Sequence, residues 1–130
     1  MYVALTLALQ YAYWTQRGYY PDTPHQANQD SCSGALKFAG EEKDAMFAVY
    51  DGHGRHGRAC SQFCKDHLPK LVEKYVRRMR CQKYRDVAPP GTVSFNPKEW
   101  PMLDEAEYQQ CCQKAFLECN ESLHKSTTVS

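Results

Sequence analysis

"MFAVYDGHGRHG", Met46 to Gly57, ends a run of strand-forming residues on a carboxylate and follows it with glycines on both sides of an imidazole. The residues before Asp51 read as a β-strand, which places Asp51 at a strand's carboxyl end, where sheet proteins commonly display reactive side chains. Beyond Gly57 the apolar period changes. Cys60, Phe63, Cys64, Leu68, Leu71, Val72, Tyr75, Val76 and Met79 recur at three- and four-residue steps, the signature of an amphipathic helix. Strand, glycine turn and helix therefore frame the stretch, with Pro69 predicting a kink or break in the helix.

Working upstream, "ANQDS" stands one hairpin earlier, and the charged "AGEEKD" segment reads as the hairpin tip. A strand near 32–38 would pair with the strand ending at Tyr50, and antiparallel pairing would bring Asp30 beside Asp51. Residues 2–13 are rich in Tyr, Val, Leu and Thr without helical period, which predicts one or two further strands. Residues 17–31 read as a loop. Downstream, four prolines in 84–101 mark an irregular connection. Asp104 is a candidate N-cap for a second helix carrying Tyr108, Cys112, Ala115, Phe116, Cys119 and Leu123 on one face. The fold class is α+β, in one domain over residues 1–130.

Composition narrows the function classes. Net charge is +1 and hydrophobic residues are 42% of the 130, a soluble globular balance with no global field for nucleic acid or a membrane surface. Seven cysteines, an odd number with Cys111 and Cys112 adjacent, argue against a secreted disulfide framework and for an intracellular, cytoplasmic or nuclear, protein. The apolar N-terminus lacks a basic n-region and is too short to span a bilayer; a signal peptide is the minor alternative.

The glycine-flanked histidine suggests a chemistry. A strand-end carboxylate is the hard oxygen ligand that Mg²⁺ or Mn²⁺ prefers, and Gly52 allows its own carbonyl to approach a cation. His53, held on the turn, could donate a proton near neutral pH. Together with Asp30, these residues point to metal-assisted hydrolysis of a phosphate ester. Asp-Gly is also an ordinary turn dipeptide, so the inference rests on the pairing of the two carboxylates.

"QRGYYPDTPHQANQDS" followed by "FAVYDGHGRHG" resembles the first two motifs of the metal-dependent protein phosphatases, the PPM-type or type 2C serine/threonine phosphatases. "CSQFCKDHLPKLV" and "KAFLECNESL" resemble the helices that follow, so the likeness runs from about Tyr11 to the C-terminus. It implies part of a four-layer α-β-β-α sandwich of antiparallel strands with long helices. It implies two cations, Mg²⁺ or Mn²⁺, with Asp51 bridging them, the Gly52 carbonyl as a further ligand, Asp30 supporting the site and His53 as general acid. The implied substrates are phosphoserine and phosphothreonine proteins.

The sequence departs from the family pattern at several positions. Gln29 stands where many members carry an acid, and His25 where some carry a phosphate-binding arginine, for which Arg17 could substitute. After Asp51 only Asp66, Asp86 and Asp104 remain, none in strand context. The closing "KSTTVS" resembles the start of the family's next strand. A truncated domain with little activity of its own is therefore expected, the alternative being a non-catalytic, pseudophosphatase-like interaction module.

Other clusters have simpler readings. Cys60, Cys64 and His67 with Cys81 could ligate zinc but read better as reduced core thiols. His56, Arg55 and Arg58 could contact phosphate but read as solvated. In "KYVRRMRCQKYR" the tyrosines fall on the buried stripe and the arginines on its wet face, which disfavours nucleic-acid binding.

Overall fold

The computed structural model describes residues 9–92 and 100–127. Strand β1 (Ser31–Leu36) pairs antiparallel with β2 (Ala45–Tyr50), from Ser31 opposite Tyr50 to Leu36 opposite Ala45. A short 3-10 turn, Phe38–Gly40, lies between them. Helix α1 (Gly57–Val87) and helix α2 (Glu105–Thr127) pack on each other and on one face of the hairpin. The architecture is α+β, with a two-stranded sheet on a helix pair among the described residues. No helix among them is long and apolar enough to cross a membrane.

The hairpin follows its alternation. Met46, Ala48 and Tyr50 turn toward the helices, while Phe47 and Val49 turn away. Val49 is 81% exposed and Phe47 44%, with the Tyr11 ring 4.5 Å from that of Phe47, so the sheet's outer face is largely apolar and open among the described residues. Residues 9–13 are irregular rather than the expected strand, with no ladder partner for their backbone among the described residues; residues 2–8 of that expectation lie outside the described part.

Helix α1 runs unbroken through Pro69. Proline removes one N–H and crowds the preceding turn, but buried Leu68, Val72 and Val76 hold the helix to the core on that stripe, and it continues without the expected break. It also extends to Val87, so the irregular connection starts later than position 84. Residues 93–99 of the connection lie outside the described part.

Helix α2 opens on a reciprocal capping box. Asp104 Oδ1 accepts from the Glu107 N–H at 2.9 Å, and Glu107 Oε2 accepts from the Asp104 N–H at 2.8 Å. Its buried stripe is Cys111, Ala115 and Cys119; Phe116, expected inside, is 60% exposed, since the stripe is rotated from the expected face. Lys125–Thr127, expected to begin a strand, are the helix's last turn.

The arginines do not all face water. Arg80 continues the stripe of Leu68, Val72 and Val76 and is 1% exposed. Its Nη2 donates to Asp44 Oδ2 and to the Tyr108 hydroxyl, both at 2.6 Å, while Nη1 lies 3.5 Å from Glu41. Tyr108 in turn donates to Asp44 at 2.8 Å, which ties α1, α2 and the hairpin tip. Burial, then the Asp44 hydrogen bond, push the Tyr108 phenol above its ordinary pKa.

A buried charge left without its partner costs more than the intact pair contributes. Asp44→Ala should therefore lose about 3 kcal/mol in urea denaturation, whereas Asp44→Leu combined with Arg80→Met should cost less than either alone.

The two helices are also tied by Glu118. It accepts from Lys74 Nζ at 2.7 Å and the Tyr75 hydroxyl at 2.6 Å, and these donors, Lys74 first, hold its carboxyl below the usual 4.5. Glu107 is lowered likewise, by Lys83 and then the Asp104 N–H. A depressed carboxyl stabilises the fold above the unfolded-state pKa and loses that contribution as pH falls through the folded-state value. Stability should thus decline below about 4.5, and the Glu107→Gln, Glu118→Gln double variant should show a flatter pH profile by denaturant titration.

Candidate functional site

Asp30 and Asp51 are the first residues beyond the Ser31–Tyr50 pair, so strand pairing alone brings them to one end of the hairpin. A hydrogen bond fixes the approach. Asp30 Oδ1 accepts from the Gly52 N–H at 3.0 Å, and the Asp30 N–H donates to Asn28 Oδ1 at 3.0 Å, which holds the upstream loop against the turn. The Asp51 side chain is exposed and has no hydrogen-bond or ion-pair partner among the described residues. Asp30, Asp51, Gly52 and His53 line a cavity of about 270 Å³, which Arg17 also reaches.

Glycine is required at position 52 by a close backbone approach. A Cβ there would stand 2.1 Å from the Gln29 carbonyl oxygen and 2.6 Å from that of Gly57. Gly57 is constrained from the other side, since its Cβ would meet Gly52 at 2.7 Å. Gly54 answers a different need, a backbone φ of 76°, with open space around it. The turn is thus compressed between the upstream loop and the first turn of α1.

Gln29 serves this turn through its side chain. Its Nε2 donates to the Gly54 carbonyl at 2.7 Å, and its own carbonyl accepts from the Ser61 hydroxyl. Ser61, 2% exposed, also contacts Ser31 Oγ at 3.2 Å and the Arg58 carbonyl at 3.2 Å. Sequence reasoning missed Ser61. Its signal was position, one heptad before Leu68 on the buried stripe of α1. Of the residues weighed for phosphate contact, Arg17 lines the cavity, where its Nη1 also donates to the Pro24 carbonyl at 2.8 Å; His25 is not among the lining residues. His67 is engaged along its own helix, with Nδ1 2.8 Å from the Phe63 carbonyl and its ring stacked on Phe63 at 3.9 Å.

As a cation site, the donor set is incomplete. Among the described residues no group of three or more His, Cys, Asp or Glu side chains is placed to hold a metal ion. Asp51 is uncommitted, Asp30 has one oxygen engaged, and a main-chain oxygen could add to them, so waters or further oxygen donors would have to complete the octahedral shell of Mg²⁺. The arrangement can contribute ligands but does not by itself complete a site.

Comparison with known proteins bears on this geometry. The chain is similar to a plant phosphatase. It is 31% identical over 116 residues to the Arabidopsis thaliana protein named probable protein phosphatase 2C 35. The match takes in 89% of this chain, which spans about a quarter, 26%, of that relative's length. No family model matches the chain, and no solved structure matches it significantly.

The glycines should separate by mechanism. Gly52→Ala forces backbone apart on two sides and should destabilise by about 3 kcal/mol or more, while Gly54→Ala meets only an unfavourable φ and should cost about 1 kcal/mol. Chemical denaturation of the two variants checks the order.

Proposed function

We propose that this chain carries the first site motifs of a metal-dependent protein phosphatase of PPM type, and that the domain it contributes to hydrolyses phosphoserine and phosphothreonine in proteins. The observation that carries the reading is the Asp30 carboxylate bonded to the Gly52 N–H, with Asp51, His53 and Arg17 around the same cavity. Its similarity to a probable protein phosphatase 2C supports the same assignment. The hairpin and helix pair would be one sheet and one helix layer of a four-layer sandwich, and the open apolar face of Phe47 and Val49 would take the facing sheet.

Each residue then has a role. Asp51, whose carboxylate is free among the described residues, would hold a divalent cation with the Gly52 carbonyl as a further ligand, and Asp30 holds the turn that carries them. His53, exposed and without a partner among the described residues, donates a proton to the departing serine or threonine oxygen. Arg17 offers a positive charge to the phosphoryl oxygens. A bound Mg²⁺ or Mn²⁺ would supply an activated water. With the described ligands alone it would be held weakly, which favours little turnover by this chain and leaves a non-catalytic interaction module as the second reading.

Mn²⁺ titration followed by water-proton relaxation tests the assignment. Weak uptake, with a Kd on the order of millimolar, is expected for the wild type and should be lost in Asp51→Asn. Equal uptake by both proteins overturns the reading. Hydrolysis of para-nitrophenyl phosphate with Mn²⁺ separates the two versions: a rate that Asp51→Asn abolishes supports catalysis by this chain, and background rates in both proteins support the module.

A further inference from the structure

Three of the seven cysteines gather where α1 meets α2. Cys60 and Cys64, one helical turn apart on α1, and Cys119 on α2 line a second cavity, of about 390 Å³, whose lining also includes Asp51. All three are free thiols. Cys64 and Cys119 go further, because they face the same cavity from opposite sides of the helix interface with their thiols near enough to interact electrostatically. Cys64 is half-buried and open to the cavity, whereas Cys119 is 4% exposed.

The geometry points to a redox modification site, a reversible disulfide between Cys64 and Cys119 formed by hydrogen peroxide. It does not depend on the phosphatase reading. Cys64, which the oxidant can reach, attacks the peroxide O–O bond; its sulfur is oxidised to a sulfenic acid and one oxygen leaves as water. The Cys119 sulfur then attacks the Cys64 sulfur. The S–S bond forms, the S–O bond breaks, and the hydroxide leaves as a second water with the Cys119 proton. Two thiols and one peroxide thus give one disulfide and two waters.

The division of labour follows from the surroundings. Burial first, then the neighbouring Cys64 sulfur, push the Cys119 thiol up to about 11, so it is the poorer first nucleophile, and Cys64, open to the cavity, is the sulfur that meets the oxidant. Cys111 and Cys112, adjacent on one helix, point to different faces and cannot pair with each other. The crosslink would fasten the N-terminal half of α1, on which the Gly52 turn rests, to α2.

The test is peroxide treatment of the whole chain, followed by alkylation, proteolysis and mass mapping. The native protein should become lighter by about 2 Da, yield a Cys64–Cys119 peptide pair and recover fully with dithiothreitol. The same treatment of the urea-unfolded chain should scatter the pairing over other cysteines, a comparison that needs no variant to fold. Cys60→Ser should keep the crosslink and Cys64→Ser should lose it. A native product joining Cys60 to Cys119, crosslinks only between molecules, or oxidation that stops at sulfenic or sulfinic acid would each overturn the proposal.

Discussion

The main-chain contact among Gly52, Gln29 and Gly57 constrains the rest of the molecule. Three segments distant in sequence meet there with no room for a β-carbon. The upstream loop, the exit of β2 and the entry of α1 must therefore be placed together. Polar bonds secure the contact from each side: Asp30 on the Gly52 N–H, Gln29 on the Gly54 carbonyl, and Ser61 on the Gln29 carbonyl. Because these bonds consume the groups nearest the turn, Asp51 is left with its carboxylate uncommitted at the cavity.

The same economy explains Gln29. A carboxylate at this position could add a cation ligand, but it could not donate to the Gly54 carbonyl as the amide does. The residue here braces the turn. A site with one free carboxylate and one shared carboxylate can orient a cation only with help from further oxygen donors.

At the far end of α1 a second polar assembly sets the helix pair. Arg80, Asp44 and Tyr108 join the hairpin tip to both helices, and the buried guanidinium has no hydrogen-bond partner for its Nε and Nη1 among the described residues. Such a cluster adds little net stability, since desolvation opposes it, but it penalises any other register of α1 against α2. The helix interface is thus pinned at Arg80 and at the Glu118 contacts with Lys74 and Tyr75.

Local patterns in the sequence determined the strand ending before Asp51, the helix after Gly57, the N-cap at Asp104 and the pairing that brings Asp30 to Asp51. Each depends on period or on neighbours a few residues apart, which the order of residues records directly. Tertiary structure decided what composition could not distinguish. Pro69 stays inside a helix because the flanking stripe is buried; Arg80 enters the core because an aspartate and a tyrosine from other elements meet it; Phe116 turns outward because α2 seats Cys111, Ala115 and Cys119 inward. The role of Gly52 belongs to both. Its position after the strand was legible, but the Gln29 and Gly57 carbonyls that forbid any larger residue come from segments that only folding brings within contact.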